Sequence, residues 1–354
     1  MNPSLLFADI PVSDMASATV ARRVAGELAA QLGFSANRRA EAVLVTSELA
    51  HNHVMHHTIR GQIRLSGFHA ASIPCLSISS LDQGPGLLAA DETPHGKNFS
   101  HGGLGAGLGT VLRLSDRLDI FSRTSRPGMQ CPFETILIAL LGPDRTLHAE
   151  VARIGGSFAV LSQSRSDSGW CGDGVNVQQD RRFTRITLVD SLGLGKGAAA
   201  ITQRAFQELN RLPLLWPPAQ LLEELEFTLA DTTGAAVHIL QFDGVKGMLA
   251  SAGIGNIGLL LSVDGRRMPR ENSPGIVGNG KWRKIIGQDY RVQSTIRVFM
   301  HTDGQRRIEN PLDDFTLSPA VAAHILFEPV TPQRDDATLV TWQWPEKSTN
   351  HYIS

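Results

Sequence analysis

The chain changes its pattern once, at Gly142-Pro143-Asp144-Arg145-Thr146, a turn-forming cluster that closes one run of elements and opens another. Before it, segments with helical 3–4 spacing are interleaved with strand-like runs; after it, strands dominate. With 354 residues the chain is too long for one compact core and suits two domains of ordinary size. The spacing predicts a first domain over 1–142, a linker over 143–148, a second domain over 149–346 and a tail over 347–354. Hydrophobic residues at 42% and charged residues at 19% describe a folded chain. Lys+Arg 33 against Asp+Glu 34 leaves no basic field, which excludes nucleic acid and an anionic membrane surface as partners. The longest apolar run, Thr135 to Leu141, is strand-sized, so no spanning helix is expected. The N-terminal segment lacks a basic stretch ahead of its apolar patch, and no signal peptide is read. Cys75, Cys131 and Cys171 lie far apart without a CxxC, which predicts buried, reduced thiols and a cytoplasmic setting.

In the first half, Ser13 is positioned to cap a helix ending near Gly33, and Ser35 a second helix running through Val54. Strand-like segments 62–69 and 72–80 follow, then a turn at Asp82 to Gly86, a polar Gly-rich stretch 91–109 and a helix-like 112–118. Segments 118–123 and 132–141 close the set. This order predicts an α/β sandwich with helices on one face of a mixed sheet. The second half offers strands near 158–162, 183–189, 236–242, 247–251, 258–262, 296–301 and 338–342. Helices are expected at 197–211, 219–225 and 319–326, giving a two-sheet core with helices outside.

Three boxes in the first half carry chemistry. Glu48 and Asn52 are four residues apart on the second helix, so both project from one face. A carboxylate one turn from an amide can polarise a hydroxyl and complete a Mg²⁺ shell on triphosphate oxygens. Asp82-Gln83-Gly84-Pro85-Gly86 follows an apolar strand; its glycines admit a flat ligand, and its acid can accept from an exocyclic amine. Gly102-Gly103-Leu104-Gly105-Ala106-Gly107-Leu108-Gly109 opens a helix, an arrangement suited to phosphate. It is neither a Walker A sequence nor GxGxxG, since Thr110 stands where the third glycine would be. Four histidines share the second helix region (His51, His53, His56, His57), and His53 with His57 leaves a zinc pair conceivable beside the plainer reading of a polar helix face.

In the order E-x-x-x-N, DxGPG, GLGxGL, the set resembles the GHKL (Bergerat) ATPases, and within them the anti-sigma and RsbT-type switch serine kinases, over about residues 8 to 141. The resemblance implies Glu48 as the base on a target serine, Asn52 on Mg²⁺, Asp82 on adenine, Gly84 and Gly86 at the base pocket, and Gly103, Gly105, Gly107 and Gly109 around the phosphates of ATP. The stretch Met129 to Glu134 lacks the Gly-Thr pair that often completes the adenine pocket in that family.

Four acidic clusters sit at strand ends in the second half: Asp173 between glycines, Asp190 before Ser191, Asp303 in Thr302-Asp303-Gly304, and Asp335-Asp336 before Thr338. Each alone is ordinary turn chemistry. Together, carboxylates without Cys or His partners describe a site for Mg²⁺ or Mn²⁺, and two such ions can lower the pKa of a bridging water and aim it at phosphorus. Gly253-Ile254-Gly255-Asn256-Ile257-Gly258 matches GxGxxG, but a strand-like run follows it, so a hairpin turn is expected and not a dinucleotide site.

The order GD, VDxxGxG, AGxGN, TDG, RDDAT resembles the type-2C (PPM) metal-dependent serine/threonine phosphatases in their SpoIIE/RsbX form, over about residues 150 to 344. It implies a β-sandwich flanked by helices and two or more Mn²⁺ or Mg²⁺ ions. Asp190 would bridge them, with the Ser191 carbonyl, Asp303 and Asp335 as ligands, Asp173 as an extra ligand, and Asp336 behind them or on a third ion. Ser191 stands where the family has glycine, and Leu194 where it often has histidine. The two resemblances together imply a cytoplasmic partner-switching regulator that phosphorylates and dephosphorylates a STAS-domain anti-sigma-factor antagonist. A sigma factor or an upstream sensor is a further partner in that setting, and homodimerisation stays open. The alternative is a regulator that binds nucleotide and sequesters a partner without catalysis, or acts as phosphatase alone.

Overall fold

The computed structural model describes residues 6–70, 73–84, 106–122, 131–144, 156–165, 170–269, 272–280, 285–308, 317–330 and 335–345. They divide into two compact units, one within 7–149 apart from 68–72, the other including 150–348.

In the first unit a five-stranded sheet has the order β1-β2-β3-β5-β4, with β1 Leu6–Pro11, β2 Gln62–Ala70, β3 Ile73–Asp82, β4 Arg117–Ser122 and β5 Thr135–Leu141. The β3–β5 and β5–β4 pairs are antiparallel. Helices α1 (Met15–Gln31), α2 (Ala36–Met55) and α3 (Ala106–Leu114) pack with it. Strand β1 was not expected from the sequence; its six residues mix Asp9 with apolar neighbours and carry no clear period. Helix α1 is capped by Asp14, not Ser13. The Asp14 carboxylate accepts from the Ser17 N–H at 2.8 Å while Ser17 Oγ accepts from the Asp14 N–H at 3.1 Å, a reciprocal cap that Ser13 cannot close. Ser35 does cap α2, accepting from the Arg38 N–H at 3.2 Å.

The small buried side chains Ala18, Ala21, Ala25 and Ala29 recur at 3–4 spacing on α1 and let it approach α2 closely. Arg38, buried in the first turn of α2, donates to the carbonyls of Leu114 and Gly142, each at 2.9 Å, and to the Asp116 carboxylate. Asp116 in turn accepts from the Gly142 N–H at 2.7 Å. The start of α2 is thereby tied to the ends of α3 and β5.

The second unit holds two antiparallel five-stranded sheets. One has the order β13-β10-β9-β8-β7, with β7 Asp173–Gln179, β8 Phe183–Ser191, β9 Ala235–Asp243, β10 Met248–Ile254 and β13 Gly287–Arg291. The other has the order β12-β11-β14-β15-β6, with β6 Ser157–Gln163, β11 Gly258–Val263, β12 Arg266–Arg267, β14 Ile296–His301 and β15 Ala337–Trp344. Helices α4 (Gly195–Arg211) and α5 (Pro218–Thr228) cover the first sheet, and α6 (Pro319–Leu326) packs on β6 and β15.

Strand alternation decides which residue meets which layer. Val189, Val237 and Ile239 join Ile201, Phe206, Leu221 and Leu225 in the helix-side core. On the opposite face Phe242 meets Trp342, ring centroids 6.1 Å apart, between the sheets. With a layer on either side, β8 and β9 are buried almost throughout, although Thr184, Arg185 and Thr187 interrupt the apolar run of β8. No helix among the described residues is long and apolar enough to cross a membrane. Cys75 and Cys171 are buried thiols outside any disulfide, as expected; Cys131 is only half-buried.

Candidate functional site

In the first unit, Glu48 and Asn52 lie one turn apart on α2, both half-buried. Helix α3 starts against them. A Cβ built on Gly107 would stand 2.6 Å from Glu48 Oε2 and 3.9 Å from Asn52 Oδ1, so glycine lets the first turn of α3 approach the carboxylate and amide. The helix begins inside the glycine run, six residues before the expected 112, because the apolar residues Val111, Leu112 and Leu114 continue a pattern that Ala106 already opens. Gly109, on the same helix, faces open space. Gly86, Gly103, Gly105 and most of 91–109 lie outside the described residues.

Asp82 ends β3, buried, with Oδ1 accepting from the Gly84 N–H at 2.8 Å. Burial pushes its carboxyl above the usual range, offset by the Gly84 bond and a side-chain bond with Thr135. Thr135 stands directly opposite Asp82 across the β3–β5 ladder. Thr135 thus sets a hydroxyl beside Asp82, while the Gly-Thr pair stays absent from 129–134.

His53 is a core residue. Its Nδ1 lies 2.8 Å from Thr58 Oγ1 and its Nε2 2.9 Å from Ser80 Oγ, pinning α2 to β3, and burial lowers its pKa. The zinc pair with His57 is overturned. His57 follows the helix with φ 46, exposed, while both ring nitrogens of His53 are engaged.

In the second unit the aspartates gather at the strand ends. Asp173 and Asp190 are direct partners in the β7–β8 register and so share one face. Two carboxylates placed opposite each other repel. Asp173, fully desolvated, is pushed well above the usual carboxylate range, by burial first and by Asp190 next. Burial, then Asp303, Asp335 and Asp336, push Asp190 up to about 7. Asp335 is raised as well, by burial and by Asp303 and Asp336, with Arg165 acting against them.

Asp173, Asp303 and Asp336 each have a separate support, and these supports carried no assigned role in the sequence. Thr302 Oγ donates to Asp173 Oδ2 at 2.7 Å and accepts from the Thr338 N–H at 2.9 Å. Asn256 Nδ2 donates to Asp303 Oδ2 at 2.7 Å. Both oxygens of Asp336 accept backbone N–H groups, from Arg165 at 2.7 Å and Gly172 at 2.6 Å, so this residue fastens the chain before β7 to the start of β15. A Cβ on Gly304 would lie 2.1 Å from the Asp336 carbonyl oxygen, and glycine is what lets the Asp303 turn rest there.

Ser191 ends β8 in ordinary extended-strand order; among the described residues the positive-φ positions other than glycine are His57, Arg60 and Asp264. Serine in place of glycine therefore costs the backbone nothing here. Its hydroxyl packs on Thr202 Oγ1 of α4 at 2.7 Å. Leu194 is the exposed residue ahead of α4. Cys171, its thiol pushed up by burial, stays neutral beside Asp173 and Asp336.

Among the described residues no three His, Cys, Asp or Glu side chains close around a single point as a metal cage. The donor chemistry nevertheless fits a hard divalent cation. It is all oxygen, desolvated and mutually repelling, and Mg²⁺ is ordinarily held by one or two carboxylates with water completing its shell. The GxGxxG segment gives strand-turn-strand with no helix, yet it is not a hairpin. β10 and β11 belong to different sheets, and Gly255, at φ 99, turns the chain from one to the other beside Asn256.

No protein-family model matches the chain. A curated relative, the serine/threonine-protein kinase RsbT of Bacillus subtilis (strain 168), is 33% identical over 102 residues, which are 29% of this chain and 76% of that protein. Among solved structures, RsbX in complex with magnesium is similar at 18% identity and TM-score 0.47, covering 53% of this chain and 95% of that one. The SiaA-PP2C domain of Pseudomonas aeruginosa follows at 20% identity and TM-score 0.44, covering 57% and 90%. The PP2C domain of SpoIIE from Bacillus subtilis, with a fragment of its regulatory domain, aligns at 12% identity and TM-score 0.45, covering 76% and 79%.

Proposed function

Because the chain belongs, through a 102-residue stretch, to the family of the serine/threonine-protein kinase RsbT, we propose that its first unit is an ATP-dependent serine/threonine kinase and its second a metal-dependent phosphatase. The common substrate is a STAS-domain anti-sigma-factor antagonist, phosphorylated by one site and dephosphorylated by the other. The observation that carries the first half is the start of α3 at Gly107, set against Glu48 and Asn52. Asp82, backed by Thr135 and Gly84, accepts from the adenine amino group. The backbone N–H groups at the start of α3 face the phosphates. Asn52 would hold Mg²⁺, and Glu48 would take the proton of the attacking hydroxyl.

The second half rests on the opposed Asp173 and Asp190 and on the supports that aim the remaining aspartates. Asp190, Asp173, Asp303, Asp335 and the Ser191 carbonyl would hold the ions, which when bound supply a water of lowered pKa for attack on phosphorus. Thr302 and Asn256 orient the carboxylates, and Asp336 fixes the backbone around them. The missing cage favours one other reading, a second unit that binds its partner without turnover; Mn²⁺ binding measured by calorimetry, and its loss in Asp190→Ala, would argue against it.

Substitution separates the two sites. Asn52→Ala removes phosphorylation of the STAS protein and keeps dephosphorylation, and Asp190→Ala does the reverse, each followed by intact mass on protein with native circular dichroism. A folded single variant that loses both activities contradicts independent sites.

A further inference from the structure

Beside the aspartates, the sheet containing β11 and β14 borders a cavity of about 500 Å³ that the chemistry above does not use. Leu260, Met268 and Ile308 give it apolar walls, Arg267 and Arg307 give it a cationic rim, and His301 also lines it. Among the described residues no carboxylate lines it. Among the described residues neither guanidinium is paired: Arg306 turns to Glu328 at 2.7 Å, leaving its neighbour Arg307 for the cavity, and Arg267, exposed on the two-residue strand β12, meets no acid. A volume of this size suits a few side chains, and paired cationic and apolar walls suit an amphipathic ligand.

Position narrows the ligand further. His301 lines the cavity, and two residues along the same strand end Asp303 joins the aspartate cluster. In the turn before the neighbouring strand β11 Asn256 holds Asp303, and on β11 Leu260 reaches the cavity. The end of β14 thus joins the two places within two residues of chain, His301 at the cavity and Asp303 at the aspartates. We propose that this cavity binds the segment flanking the phosphorylated residue of the protein substrate and selects a flank that pairs an acidic with an apolar side chain. The proposal rests on the phosphatase reading for the identity of the neighbouring site. Arginine forks match carboxylates in two-point geometry, so the rim reads charge while the walls read apolar bulk.

The test uses the full chain and three fluorescein-labelled phosphoserine peptides, flanked by alternating leucine and glutamate, by leucine and lysine, or by serine and glutamine. Anisotropy without metal reads binding, and p-nitrophenyl phosphate with Mn²⁺ reads basal turnover. The leucine–glutamate peptide is expected to bind about tenfold more tightly than the neutral one. Arg267→Glu with Arg307→Glu should erase that preference, create one for a leucine–lysine flank, and leave p-nitrophenyl phosphate turnover unchanged. Equal binding of the peptides by the unaltered protein, or a preference that survives the double substitution, overturns the proposal. A charge-dependent preference without any p-nitrophenyl phosphate turnover upholds the cavity and contradicts the phosphatase reading, which keeps the two failures apart.

Discussion

Asp190 stands across from Asp173 and is crowded by three further aspartates, and its titration gives that crowding a sign. Its carboxyl is held at about 7 in the fold against an ordinary 3.8. Between those values the folded chain keeps a proton that the unfolded chain has released, so stability of the metal-free protein falls as pH rises through that window. A divalent cation competes with that proton. Added Mn²⁺ should therefore raise the unfolding temperature more at about pH 8 than at about pH 5, and Asp190→Asn should flatten the difference. An equal gain at both pH values would place the cation elsewhere. Gly107→Ala tests the other unit at the same scale, since its methyl would displace the Glu48 carboxylate. Phosphorylation should fall about a hundredfold with dephosphorylation intact, the scale of loss from a displacement near an ångström.

At the scale of elements, the second unit depends on an anchor that its sequence hides. Glu226, buried on α5, accepts the N–H groups of Gly278 and Gly280, each at 2.5 Å, and so holds the 273–280 segment beside Val277, which bridges to Ala235. Glu226→Ala should cost about 2–3 kcal/mol in urea unfolding, the loss of a charged acceptor from buried donors. Ser35→Ala, by contrast, removes one cap bond of α2 and should cost about 1 kcal/mol.

Most helices and strands were legible from period and punctuation, because β8, β9 and α4 each obey a single rule over their whole length. The candidate site was legible where chemistry is rare in a sequence: Glu48 with Asn52, and aspartates beside glycines at strand ends. What sequence left open depends on partners far along the chain. Neither the Thr302 bond to Asp173 nor the crossing of Gly255 from one sheet to the other has a local signature, since each needs both sheets in place. The early start of α3 and the Asp14 cap are local, and there the geometry of one turn chose between neighbouring residues.

At the scale of the whole molecule, three sheets fall into two units, each with its own core and its own oxygen-rich constellation. The central claim is that both constellations act on one phosphoryl group in opposite directions. The most direct measurement follows the intact mass of a STAS-domain partner incubated with the full chain, ATP and Mg²⁺, with Mn²⁺ added once ATP is consumed. The partner should gain one phosphate and then lose it, with the gain missing in Asn52→Ala and the loss missing in Asp190→Ala. A stable complex whose partner never changes mass would contradict that claim.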